Sequence, residues 1–207
     1  MKNAKKLILL SFLLILFSTI IIAQDSTTFQ VPYKPNKEKK ASAIKFLVGG
    51  ALELGGDEIA EVYFTNGESQ SVPAGQGGSI AVGGQLQFPS IEKLLIRATV
   101  GYKYITTAAD NVHIRLTRIP LHLTAHWMVA GKWHLGAGLA SHQAIRFNTD
   151  GLGDDVKFTG GTGPRFEIGY GGIGLTYTAM KYTDPNKNNY SANAIGLSFL
   201  AVLPSNK

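Results

Sequence analysis

The sequence predicts an all-β fold, an eight-stranded antiparallel up-and-down transmembrane β-barrel, and three observations point to it. From Lys45 onward, apolar and polar residues alternate with a period of two, which places them on opposite faces of extended strands. The polar phase mixes charges with Gly, Ser, Thr and Ala, and the smallest of these cannot fill a dry core between them. The gaps between the alternating stretches are by turns tight and long, which is the connection pattern of a barrel crossing an outer membrane.

The elements follow in chain order. Met1–Lys6 is basic, Leu7–Ile22 is dominated by apolar residues, and Ala23-Gln24-Asp25 returns to polar sequence. This describes a cleaved secretory signal peptide over residues 1–23. The alternative, a membrane anchor, needs ~20 apolar residues, more than this run supplies. Residues 24–43 show no period and carry Pro32, Pro35, Lys34, Lys37, Lys39 and Lys40, so a flexible segment before the fold is expected. The chain has no cysteine, which removes both a lipid-modified N-terminal cysteine and a disulfide framework. Removing Lys2, Lys5 and Lys6 with the signal leaves 17 of the 20 basic residues against 14 acidic ones. So small an excess on an exported chain gives a nucleic-acid partner little support.

Eight strands are expected at about 45–54, 79–88, 93–104, 112–129, 132–142, 156–170, 172–182 and 190–203, in a barrel over residues 44–203 with a tail at 204–207. The first sets Phe46, Val48, Leu52 and Leu54 against Lys45, Gly49, Ala51 and Glu53. The second sets Ile80, Val82, Leu86 and Phe88 against Gly83, Gln85 and Gln87. In the third, Leu94, Ile96, Ala98, Val100, Tyr102 and Tyr104 oppose Arg97, Thr99, Gly101 and Lys103; a helix would scatter those two cations around its apolar side. The fourth opposes Ile119, Leu121, Leu123 and Trp127 to Arg118, His122, Thr124 and His126. Later, Phe166, Ile168 and Tyr170 oppose Arg165 and Glu167, Leu175 and Tyr177 oppose Thr176 and Thr178, and Ile195, Leu197 and Phe199 oppose Gly196 and Ser198. Tight connections are expected at Pro89–Glu92, Val129–Gly131 and Tyr170–Gly172, and longer ones at 55–78, 105–111, 143–155 and 183–189. Within 55–78, Asn66-Gly67 is a favoured two-residue hairpin turn. A hairpin projecting beyond the membrane is expected there; the alternative is that it adds two barrel strands, making ten.

Alternation alone does not choose the solvent, because a soluble barrel alternates too. The apolar face is the bulky one, so it is expected to meet lipid, with Leu121, Ile96 and Ile195 outward and Arg97 and Glu167 enclosed. Aromatics sort by height. Phe46, Phe88, Trp127, Trp133, Tyr170 and Phe199 fall outward near the tight turns, and Tyr102, Tyr104 and Tyr177 toward the other end, as belts at two headgroup layers would.

On this architecture, residues 44–203 resemble the family of small OmpA/OmpX/OmpW-type outer-membrane barrels of Gram-negative bacteria. Locally, Gly55-Gly56-Asp57-Glu58-Ile59, Asn66-Gly67 and Ala74-Gly75-Gln76-Gly77 are similar to a GGD…AGQG pattern in uncharacterised members. The resemblance implies an outer-membrane location, contact with outer-membrane lipid and lipopolysaccharide, and handling by the barrel-assembly machinery. Many members end on an aromatic residue that this machinery reads. Here the last aromatic is Phe199 and the chain runs on to Lys207, so the expected insertion signal departs from the pattern.

Three constellations are candidates for chemistry. Glu53, Arg97, Lys103, Arg118, Arg165 and Glu167 are expected to form an interior ion-pair network, since eight strands leave a bore that side chains fill. Such a network seals the lumen; the alternative is a narrow pore or small-solute site with a basic lining, and four cations against two carboxylates leave a positive excess. A three-residue turn at Val129–Gly131 would set His126 opposite His134 and Trp127 opposite Trp133, making His126 and His134 weak candidates for a metal pair with no carboxylate or cysteine foreseen beside them. His122 lies ~13 Å along the strand from His126 and cannot join that shell. A lipid-modifying outer-membrane enzyme is the third reading, but Ser141 and His142 are adjacent on a strand and face opposite ways, so no catalytic residues and no cofactor are assigned. The expected role is therefore non-enzymatic: structural, adhesive or envelope-maintaining, with an extracellular partner for loop 55–78 as the adhesive variant.

Overall fold

The computed structural model describes residues 43–63, 69–109 and 112–203. The expected signal peptide, the flexible segment apart from Ala43, the Asn66-Gly67 turn and the 204–207 tail lie outside the described residues. The described chain is all-β: β1 (Ala43–Leu54), β2 (Glu58–Tyr63), β3 (Ser69–Pro73), β4 (Gly77–Phe88), β5 (Ile91–Ala109), β6 (Val112–Ala130), β7 (Trp133–Asn148), β8 (Val156–Gly160), β9 (Thr162–Tyr170), β10 (Ile173–Thr178), β11 (Lys181–Thr183), β12 (Asn189–Ser191) and β13 (Ala194–Leu203).

All pairings are antiparallel. They run from β1 through β4, β5, β6, β7, β9, β10 and β13 and return to β1. This ring is not a regular barrel. β7 pairs with β9 along one part of its length and with β8 along another, and β11 and β12 extend the sheet beside β8. Three stretches expected as single strands are thus interrupted, at Gly161, at Ala179–Met180 and at Ala192–Asn193. The β5–β6 ladder has its own gap, passing from Val100–Leu121 to Lys103–Arg118. Pro120 lies in that gap and has no N–H to donate. The hairpin strands β2 and β3 pair only with each other among the described residues, which overturns the ten-strand alternative.

Turn chemistry accounts for one end of the molecule. Pro89-Ser90, Gly131-Lys132 and Gly171-Gly172 are two-residue connections, and Gly131 and Gly171 take φ of 56° and 61°, the left-handed region that such turns require. The Gly131-Lys132 turn corrects the expected register. With a shift between Met128 and Ala130, His126 faces Gly136 and Trp127 faces Leu135, while Ala130 faces Trp133. The slip is by two residues, so both histidines keep the inward phase.

At the other end β5 and β7 run further than the alternation suggested, to Ala109 and to Asn148, while β6 starts at Val112 as expected. The cause is a change of phase. A register shift sets Thr117 against Arg146 but Ile119 against Gln143, and Ala144 sits at φ 50°. Below this bulge His134, Gly136, Ala140 and His142 point inward; above it Ile145 and Phe147 do. They join Ile114, Leu116, Met180, Tyr182 and Ala192 in an apolar core at the long-loop end. Val62, Val72 and Ala74 belong to the same core, so the hairpin is packed down by one face and does not project freely.

The burial pattern is inverted along the ring strands. Leu52, Ile80 and Ile195 are 65%, 71% and 58% exposed, whereas Arg118 and Lys103 are 0% and 1% exposed. Leu121 is likewise outward, and Arg97 and Glu167 are buried, as the alternation predicts.

Candidate functional site

The interior holds two polar clusters separated by a small cavity, and all six ionisable residues named from the sequence are buried in them. The first lies toward the long-loop end. Glu53 on β1 accepts from Lys103 Nζ on β5 at 2.5 Å and from Arg165 Nη1 on β9 at 3.0 Å. Arg165 also donates to Thr178 Oγ1 at 2.9 Å, and Lys103 to the carbonyl of Gly75 at 2.5 Å. Gly196, opposite Glu53 in the β13 pairing, gives the carboxylate its room: a Cβ there would stand 2.5 Å from Glu53 Cγ.

Among the described residues no carboxylate pairs with Arg118. Its Nη1 donates to the carbonyl of Ala74 and its Nη2 to the carbonyl of Gln76, and its guanidinium lies 6.0 Å from the centre of the Tyr182 ring. The Tyr182 hydroxyl is in turn hydrogen-bonded to His142 Nδ1. Part of the positive excess is therefore met by main-chain carbonyls, which an alternation pattern does not register. The GGD…AGQG residues supply them as one unit. Gly75 N–H donates to the Gly55 carbonyl at 3.0 Å and Ala74 N–H to the Asp57 carbonyl at 2.8 Å, while Asp57 clasps Ser191 through its own N–H (2.6 Å) and its carboxylate (2.7 Å). Gly56 adopts φ 93°, and a Cβ there would run into the backbone nitrogen of Gly75. The base of the hairpin thus lies across the interior, held by Arg118 and Lys103.

The second cluster lies toward the tight turns. Glu167 Oε1 on β9 stands 3.0 Å from His134 Nε2 on β7, 3.8 Å from His126 Nδ1 on β6 and 3.6 Å from Arg97 Nη1 on β5. Arg97 Nε donates to Gln85 Oε1 at 2.9 Å, and His126 Nε2 is 2.8 Å from Thr124 Oγ1. The two imidazoles meet edge to face with centres 5.3 Å apart, although they are not paired across the strands. Glycine makes this contact: a Cβ at Gly136 would stand 2.7 Å from the His126 ring, and one at Gly169 2.5 Å from the His134 ring. Sequence reasoning placed the two histidines on one face but missed Glu167 beside them. The signal lies in the β7–β9 register, which sets Gly136 opposite Glu167 and depends on the course of the 149–155 loop.

Between the clusters is a cavity of about 40 Å³ lined among others by Thr99, His122, His126, Arg165 and Glu167. His122 touches Thr99 at 3.5 Å and stands apart from the His126–His134–Glu167 group. Ser141 hydrogen-bonds Gln143 and the Gly161 carbonyl, and no serine–histidine contact is found among the described residues. Comparison with protein-family models and with curated proteins returns no match for this chain.

Proposed function

We propose that the chain is an integral outer-membrane protein, an eight-stranded up-and-down barrel that spans the bilayer with a sealed interior and serves a non-enzymatic structural, adhesive or envelope-maintaining role. The observation that carries this reading is the inverted burial: the strands turn Leu, Ile, Val and aromatic side chains to the outside and enclose their ion pairs. In water so extensive an apolar exterior would drive association. In lipid it is the low-energy arrangement, and ring closure gives each of the eight ring strands a paired neighbour on both sides. β1 and β13, with 12 and 10 residues, are long enough to supply the ~9–11 that a tilted spanning strand needs. Trp133 and Tyr170 pack edge to face at 5.2 Å beside the tight turns, where an interfacial belt belongs. Outer-membrane lipid and lipopolysaccharide are then the immediate surroundings, the barrel-assembly machinery acts during insertion, and the outer face of the β2–β3 hairpin is the surface offered to an extracellular partner.

The Ala74–Gln76 backbone held by Arg118 and Lys103 supports the reading of a sealed interior. Two measurements test the reading. Outer-membrane extraction followed by gel migration with and without boiling should show a heat-modifiable band, and a soluble, unmodifiable protein would reject the membrane assignment. In planar bilayers the purified chain should give no steady current. Sustained anion-selective conductance would replace the sealed role with a narrow pore.

A further inference from the structure

We propose that His126, His134 and Glu167 form a binding site for a divalent transition-metal ion of the zinc type, joining β6, β7 and β9 inside the ring. Each residue presents one donor atom, and the three donors lie within 4.8 Å of one another, all on buried side chains. Metal–nitrogen and metal–oxygen bonds of ~2.0–2.2 Å in a tetrahedral site put neighbouring donors roughly 3.3 Å apart. The separations from Glu167 Oε1, 3.0 Å to His134 Nε2 and 3.8 Å to His126 Nδ1, bracket that value. Two imidazoles and a carboxylate are the donor set that such borderline cations take, with a fourth position left for water.

A second observation points the same way. His126 Nδ1 is buried with no hydrogen-bond partner, while the opposite nitrogen of its ring is engaged by Thr124. In the tautomer whose Nε2–H donates to the threonine oxygen, Nδ1 is a bare lone pair with a carboxylate oxygen 3.8 Å away. Two acceptors facing each other across a gap too long for a hydrogen bond are the arrangement that a cation between them resolves. Thr124 then acts as the outer partner that fixes the ring and its tautomer. The neighbouring 40 Å³ cavity, which both His126 and Glu167 line, has room for the water of the fourth position. Arg97 competes for Glu167, at 3.6 Å from Oε1, but the carboxylate has a second oxygen and Arg97 also has Gln85.

The site does not rest on the membrane assignment, and its test is separate. The full chain, without a histidine tag and folded in detergent micelles, is stripped with a chelator and titrated with zinc sulfate against a chromophoric competitor. One equivalent per chain is expected, with affinity at least about tenfold lower in His126→Ala and Glu167→Gln and unchanged in a variant of the exposed His113, His113→Ala. Each variant is first checked for an unchanged far-UV circular dichroism spectrum. Cobalt(II) added to the unsubstituted protein provides a readout that needs no variant: visible d–d bands should appear, and paramagnetic broadening should centre on the His126 and His134 ring signals. Absence of stoichiometric binding, binding indifferent to His126→Ala, or broadening centred elsewhere would overturn the site.

Discussion

Glu53 is, among the described residues, the one carboxylate paired with two interior Lys or Arg cations, which makes Glu53→Gln the most informative single change in the ring. The substitution keeps shape and one acceptor oxygen but removes the charge. Lys103 would retain the Gly75 carbonyl and Arg165 would retain Thr178 Oγ1, so neither cation loses every partner, yet both lose their counter-ion in an enclosed space. Removing one member of a buried pair costs about 3–5 kcal/mol, because the surviving charge is left uncompensated. With a urea dependence of about 2 kcal/mol per molar, a loss near 4 kcal/mol lowers the unfolding midpoint by about 2 M.

The assay is urea unfolding of the chain in lipid vesicles, followed by fluorescence of Trp127 and Trp133 and by gel migration. Lys103→Met is the control. It leaves the Glu53–Arg165 contact at 3.0 Å intact, so it should cost less than Glu53→Gln. The double variant should be milder than the sum of the two, because the residues share one interaction. A midpoint shift under about 0.5 M for Glu53→Gln, or strict additivity, would refute the claim that this carboxylate organises the interior.

Two further outcomes follow from the loops. Arg118→Leu removes two charge-assisted hydrogen bonds to the hairpin base, each worth about 1.5–3 kcal/mol, so the amides of Ala74 and Gly75 should exchange with solvent much faster while those of central β6 stay protected; unchanged protection would show that Arg118 does not hold the crossing segment. In the 149–155 loop, the Thr149 backbone N–H donating to Asp155 at 3.0 Å, helped by the side chains of Asn148 and Thr149, holds the Asp155 carboxyl below its ordinary value of 3.8. Folding thus favours the ionised form, so this contribution to loop order is complete above that ordinary value and is lost as pH falls through the lower, folded one. The Thr149 amide NMR signal should titrate accordingly, and Asp155→Asn should abolish the titration.

What was legible in the sequence is what a period of two encodes. Arg97 and Lys103 alternate with Ile96, Val100 and Tyr102, so their enclosure follows from spacing alone once the bulky face is assigned to lipid. Alternation says nothing of who stands opposite whom. The meeting of His126 with Glu167 needed the β7–β9 register, whereas His126 and His134 meet as the spacing suggested, but offset across the two strands rather than directly opposite. Alternation also fails wherever a bulge exchanges the faces. Read with unbroken phase, Ile145 and Phe147 belong outside with Leu139; the left-handed Ala144 turns them inward. The GGD…AGQG residues stood out as a pattern, but apart from the Asp57 carboxylate on Ser191 their work is done by backbone N–H and carbonyl groups, which side-chain identity does not display.

The interior charges explain why that backbone is where it is. Glu167 lies beside Arg97, and Glu53 stands against both Lys103 and Arg165, so the uncompensated charge gathers at the long-loop end, where Arg118 has no acidic partner among the described residues. A further carboxylate would have to be enclosed at a large desolvation cost. Main-chain carbonyls carry no net charge to desolvate, yet they present oxygen to a guanidinium, and a chain crossing the interior offers several in a row. Such a segment must be thin. A Cβ at Gly75 would stand 2.5 Å from the Asn193 carbonyl oxygen and 2.7 Å from that of Gly55, so glycine at this position and the arginine beneath it answer the same constraint. The long loop between β1 and β4 and the excess of cations inside the ring are thus two halves of one arrangement.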